Sequence, residues 1–203
     1  MNRLRAGIFV VVPLLAMPPA ALAAAANEYA LSPGASVVGF TVHARMVFTI
    51  EQQGRFRDIA GELSFDPEHP ADTRVDLTVY TASVDMQNEE REAMLRSGDF
   101  FDVGRFPTMH FVSAATERRP DGTFAVTGDL TIRDVTKRIA IPVRIKASPQ
   151  SSAKAAVFET AFDIDRTEFG LKGTPKLSGM NVSIAKHVQI RIAIAGIARN
   201  PAR

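Results

Sequence analysis

The sequence predicts an all-β fold: an eight-stranded antiparallel barrel with one short helix capping an end. Three observations carry this. Eight or nine runs alternate apolar and polar residues with period 2, the spacing of a sheet with one buried face. Turn-forming residues such as Asp66-Pro67, Pro120-Asp121-Gly122 and Asp134-Val135-Thr136 separate successive runs, so sequence neighbours pair antiparallel. One charged stretch over 88–97 has the punctuation of a helix. A sheet with a single apolar face must close on itself or pack on a second sheet. Eight strands that close leave an interior that side chains fill or one small ligand occupies. A β-sandwich is the alternative.

Residues 1–26 stand outside this fold. Arg3 and Arg5 form a basic start, 8–17 a short apolar run, and Ala21-Leu22-Ala23 a small-x-small cleavage site. Pro13, Pro18 and Pro19 interrupt a run already too short to span a bilayer well. No Cys follows it, which excludes a lipoprotein anchor. The expectation is a signal peptide cleaved between Ala23 and Ala26, a single domain over 27–203, and export to a bacterial periplasm. A retained N-terminal anchor is the alternative. The 24 Lys and Arg include Arg3 and Arg5, whereas all 22 Asp and Glu lie beyond residue 26. The exported domain is therefore formally neutral and offers no charge argument for nucleic acid or an acidic membrane. With no Cys in an oxidising compartment, its stability must come from a packed core.

The strands follow in order. Val38, Phe40 and Val42 alternate with Val37, Gly39 and Thr41, and 44–50 adds a short strand. Phe56, Leu63 and Phe65 fall on either side of a bend expected at Gly61. Val75, Leu77 and Val79 alternate with Arg74, Asp76, Thr78 and Tyr80. Asn88 is placed as an N-cap, followed by Glu89, Glu90 and Glu92 in the first turn and Arg96 in the last, with Gly98 as the residue past the end. So short a helix must dock to persist, with Met94 or Leu95 covering one end and Phe100 and Phe101 beneath. Met109, Phe111 and Ser113 come next, then a long run of Phe124, Val126, Gly128, Leu130 and Ile132, with Gly128 as its expected bend. Ile139, Ile141, Val143 and Ile145 share a strand with Pro142, which lacks a ladder donor and marks an edge, bulge or seam. Phe158, Thr160, Phe162 and Ile164 precede the last run of Val188, Ile190, Ile192 and Ile194.

Chemistry-bearing motifs are scarce. His43, His69, His110 and His187 show no ligand spacing, and no nucleophile elbow, phosphate loop or dinucleotide fingerprint is present. Asp163 and Asp165 share one strand face and read as solvated charge. No metal, cofactor or catalytic residue is expected. The inward parity instead selects Phe40, Val42, Phe56, Phe65, Leu77, Val79, Phe111, Leu130, Ile132, Phe162, Ile164, Ile190 and Ile192. Parity alone leaves open whether these pack on one another or line a cavity.

Four ordered segments carry a resemblance. The first is Ser36-Val37-Val38-Gly39-Phe40-Thr41-Val42-His43, then Gly54-Arg55-Phe56 and Gly61-Glu62-Leu63-Ser64-Phe65-Asp66. The second is Ala82-Ser83-Val84, Asn88, Arg91, Leu95-Arg96-Ser97, Asp99-Phe100-Phe101-Asp102 and Phe106-Pro107 through Phe111 and Ser113. The third is Gly128-Asp129-Leu130-Thr131-Ile132 with Val135-Thr136-Lys137, and the fourth Asp165-Arg166 with Glu168-Phe169-Gly170-Leu171. Together they resemble the YceI-like family of lipid- and polyisoprenoid-binding proteins, across essentially all of 27–203. Ala35, Met86-Gln87, Glu92, Met94 and Asp134 depart from the family's usual residues at their positions.

The resemblance implies an elongated, lipocalin-like barrel whose long apolar cavity holds an isoprenoid or similar long-chain lipid; an isoprenoid quinone is the narrower form of that carrier reading. Met94, Phe100 and Phe101 from the helix and its Phe-rich turn, with Phe169 of the fourth segment, join the expected lipid-binding wall, and Arg91 or Arg96 is expected at the head group near the mouth. Burying one five-carbon isoprene unit from water is worth about 3–4 kcal/mol, at ~0.8 kcal/mol per methylene. Such a chain starts in a membrane, so its transfer is nearly neutral, and reversible loading without chemistry is expected. The alternatives are a filled barrel acting as a partner-binding or stress-response module, and a secreted hydrolase. Transient membrane contact and a homodimer through an edge near Pro142 complete the expectations; nucleic acid is not among them.

Overall fold

The computed structural model describes residues 27–45, 48–66, 69–147, 155–173, 176–177 and 180–198. The expected signal peptide lies outside the described residues. Within them, β1 (Asn27–Leu31) and β2 (Val37–Arg45) form one long stave broken by a 3-10 turn at Pro33–Ala35. It turns back as β3 (Thr49–Phe56) and β4 (Ile59–Phe65), and a third stave follows as β5 (Arg74–Tyr80) and the two-residue β6 (Val84–Asp85). After helix α1 (Glu89–Arg96) come β7 (Thr108–Arg118), β8 (Phe124–Ile132), β9 (Val135–Ala147) and β10 (Ala155–Asp165). A small hairpin, β11 (Lys176–Leu177) and β12 (Met180–Asn181), precedes the last stave, β13 (Ser183–Ala198).

Every stave pairs antiparallel with its neighbours, and β13 closes the ring by pairing with both β2 and β1. The result is the expected closed eight-stave barrel, not a sandwich. Closure leaves few free edges, which lets a sheet with one strongly apolar face remain isolated.

Two local expectations are corrected. The second stave bends at Arg57-Asp58, between β3 and β4, and Gly61 stays in the ladder. Its φ of 153° brings the backbone so near Asp76 that a Cβ would run into that residue's carbonyl. Gly128 likewise remains in the β8 ladder, where its missing side chain makes room for the Phe111 ring, and the irregularity falls opposite it, between Ser113 and Ala115. Pro142 pairs with Ala125 of β8 but is unpaired toward β10, whose ladder with β9 runs only from Val143 onward, so it marks the local seam expected of a residue without an N–H.

Helix α1 starts as expected. The Asn88 side chain accepts a hydrogen bond from the Arg91 amide at 3.0 Å. Its end differs: Ser97, in extended conformation, closes the last turn through both its amide and its hydroxyl on the Met94 carbonyl. Gly98 is not left-handed, and the positive φ of this segment belongs to Asp102. Ser97 already satisfies the orphan carbonyl, so no glycine cap is required.

Candidate functional site

The inward faces of the staves do not meet. They enclose an apolar cavity of about 210 Å³ that reaches from the cap formed by α1 and its following loop to an aromatic cluster at the far end. A single water needs only ~10–15 Å³ of such space, so this barrel is hollow. At the far end Tyr29 and Phe65 each pack edge-on against Phe158, with ring centroids 5.3 and 5.8 Å apart, and Phe65 meets Phe124 at 5.0 Å. Burial raises the Tyr29 hydroxyl pKa by desolvation. At the helix end Phe56 bridges Phe40 at 5.7 Å and Phe101 at 5.5 Å, with Leu95 and Phe100 buried beside them.

The cap is held from outside by cations on carbonyls. Arg133, at the β8–β9 turn with φ 56°, donates to the carbonyls of Phe100 at 2.9 Å, Gly170 at 3.3 Å and Gly98 at 3.4 Å. Its guanidinium also lies over the Phe106 ring, 5.2 Å from the centroid. One side chain thus ties the loop after α1 to the segment after β10. Arg166 sits in the cavity wall and gives its three nitrogens to the carbonyls of Ala185, Ile184 and Leu171. Desolvation lowers its pKa, and the Asp165 charge opposes that shift. Three threonine hydroxyls on the wall, those of Thr73, Thr116 and Thr160, are buried without a protein hydrogen-bond partner.

All thirteen residues chosen by parity line this cavity. Phe40 and Val42 come from β2, Phe56 from β3, Phe65 from β4, and Leu77 and Val79 from β5. Phe111, Leu130, Ile132, Phe162, Ile164, Ile190 and Ile192 complete the staves, and Phe100 and Phe101 the cap. Two other residues expected in the wall, Met94 and Phe169, do not. Met94 packs against the outside of the core cluster while its neighbour Leu95 faces the lumen. Phe169, only 2% exposed, is shut into the roof beneath Lys137, whose ammonium pairs with Glu168 at 2.7 Å.

Neither arginine expected at a head group lines the cavity. Arg96 donates to the carbonyls of Ala82 and Val84, at 3.0 and 2.9 Å, and pairs with Glu92 at 3.1 Å. It fastens α1 to the third stave. Arg91 contributes its backbone amide to the Asn88 cap. Parity would have supplied Phe124, Phe158 and Ile194, since each lies in a strand already recognised. Nothing in the alternation pattern marks Arg166.

The lumen surface is almost wholly hydrocarbon, and the His–Asp pair among its lining residues, His110 Nε2 to Asp76 Oδ1 at 2.6 Å, is turned to solvent. Among the described residues no group of three or more His, Asp or Glu could hold a metal ion. The model of the YceI-like domain matches residues 29–195. The chain belongs to the YceI-like family. A UPF0312 protein of Shewanella putrefaciens is 28% identical over 181 residues, covering 88% of this chain and 91% of the relative. A UPF0312 protein of Shewanella sp. strain MR-7 is 34% identical over 132 residues, spanning 69% of its own length and 59% of this chain. Among solved structures, Burkholderia cenocepacia BcnA superposes with a TM-score of 0.70 at 23% identity, covering 81% of this chain and 98% of that one. A polyisoprenoid binding domain from Saccharophagus degradans, implicated in plant cell wall breakdown, superposes with a TM-score of 0.65 at 14% identity over 85% of this chain and 99% of that one. These superpositions share the YceI-like barrel.

Proposed function

We propose that this YceI-like protein binds and carries an isoprenoid or similar long-chain lipid in the periplasm, without catalysing a reaction on it. The observation that carries the reading is the apolar lumen of about 210 Å³, running between two aromatic ends and walled by alternate residues of every stave. A filled barrel would have no such space to offer. The polyisoprenoid binding domain of Saccharophagus degradans, a structural neighbour, supports the same class of guest. Periplasmic location rests on the basic, apolar and small-residue pattern of residues 1–26. An isoprenoid quinone is the narrower form of this reading.

Native mass spectrometry of the protein purified from periplasm without detergent tests it, followed by organic extraction of any adduct. A stoichiometric polyprenyl or long acyl species is expected. A clean unliganded mass after incubation with quinones and polyprenols would remove the carrier reading and favour action through the outer surface.

A further inference from the structure

The β2–β3 hairpin departs from the rest of the barrel. β3 pairs with β2 along its whole length, but on its other side it meets β6 only at Arg55 and Phe56. From Thr49 to Gly54 that side carries no ladder among the described residues, so the two strands run on as a ribbon past the capped end. The inward face of the ribbon continues the cavity wall. Ile184 of β13, which lines the lumen, stands opposite Ala44, and Ala44 stands opposite Ile50. Along this row burial gives way to solvent: Ala44 is 5% exposed, Ile50 39%, and Phe48 beyond it 77%. Phe48 is the most exposed large apolar residue among those described.

We infer that this hairpin tip docks the protein on a lipid bilayer, with Phe48 and Ile50 entering the interface. The inference rests on the carrier reading above: a polyprenyl or acyl guest resides in a membrane and must cross from it into the lumen. An apolar track that begins in the cavity wall and ends at the exposed Phe48 lies along that route. A two-stranded ribbon is also too narrow for a stable protein partner, which needs on the order of 1,000 Å² of buried surface. Entering a bilayer requires no complementary pocket, and aromatic side chains favour that interface. Charge at the ribbon is balanced, with Arg45 against Glu51 on the strands and Lys186 and His187 near Asp165 on the neighbouring ones. Docking is therefore apolar in origin and does not need anionic lipid.

The chain has no tryptophan, so Phe48→Trp creates a single reporter. With phosphatidylcholine vesicles its emission shifts to the blue and is quenched by acyl-brominated lipid, while Val112→Trp on the outer barrel face does not respond. Phe48→Ser slows uptake of a polyprenol from vesicles by about tenfold, the factor expected for losing part of one buried aromatic side chain. Its uptake of the same lipid from detergent micelles is unchanged. A tip tryptophan indifferent to vesicles overturns the inference, as does one that shifts with protein concentration alone, which would assign the tip to a second copy. Vesicle contact without polyprenol uptake by either route would uphold docking and remove the carrier reading.

Discussion

Asp85 accepts hydrogen bonds from Arg55 at 2.9 Å and Arg57 at 3.0 Å, and its other oxygen accepts from the Gln87 amide at 3.1 Å. The Arg55 bond, the Gln87 amide and Arg57 together hold its pKa down to about 2, against the opposing effect of burial. Unfolded, an aspartate titrates near ~3.9, so the folded state binds fewer protons between these values. The stabilisation is complete above the unfolded pKa and is lost as pH falls through the folded one. Thermal melts between pH 6 and pH 2 should show the midpoint falling toward the acid end, and Asp85→Asn should flatten that fall. An unchanged acid limb in the variant would place the dependence on other carboxylates. At this scale the sequence was least legible. Arg96, Arg133 and Arg166 all work by donating to backbone carbonyls brought near by the fold. Such partners leave no mark in a residue pattern, so Arg96 was expected at a head group and Arg166 passed unnoticed as part of the wall.

Elements were easier to read than the bonds that hold them. Period 2 located a run in each stave, because one face must reach the lumen and the other water, but it left β1, the start of the first stave, unread. Bends were misjudged where a glycine served close packing and not curvature, as at Gly61 and Gly128. The helix start was legible because the Asn88 cap is local, and its docking through Leu95 over Phe100 and Phe101 was legible too, whereas the Arg96 tie to the third stave was not. Asn88→Ala should cost the helix about 1 kcal/mol. Faster amide hydrogen exchange at Arg91 would report it, with the barrel amides unaffected. Arg133→Ala removes the tie between the cap loop and the segment after β10, so proteolysis within residues 97–106 should accelerate while the strands stay protected. Equal protection in wild type and variant would mean that Phe100 and Phe101 hold the cap by packing alone. These two substitutions separate the helix's own stability from its attachment.

For the molecule as a whole, alternation specifies which side chains face inward but not how far they reach across. A filled core and a hollow one share the same parity, and the difference emerges only when eight long staves close at a given radius. Ile190→Phe exploits that difference. The residue stands mid-stave on β13, between Phe40 of β2 and Phe162 of β10, and faces the cavity. In a close-packed core the larger ring would force neighbours from their rotamers and cost about 1–3 kcal/mol. In a lumen of about 210 Å³ it can extend into empty space, gaining apolar burial without displacing a neighbour. Urea unfolding of the lipid-free variant should therefore show stability equal to or above wild type. Polyprenol uptake should fall, because the ring occupies volume the guest needs. Loss of stability with uptake retained would contradict both parts of the argument, since it would mean that this stretch of wall is packed tight and that the guest lies elsewhere.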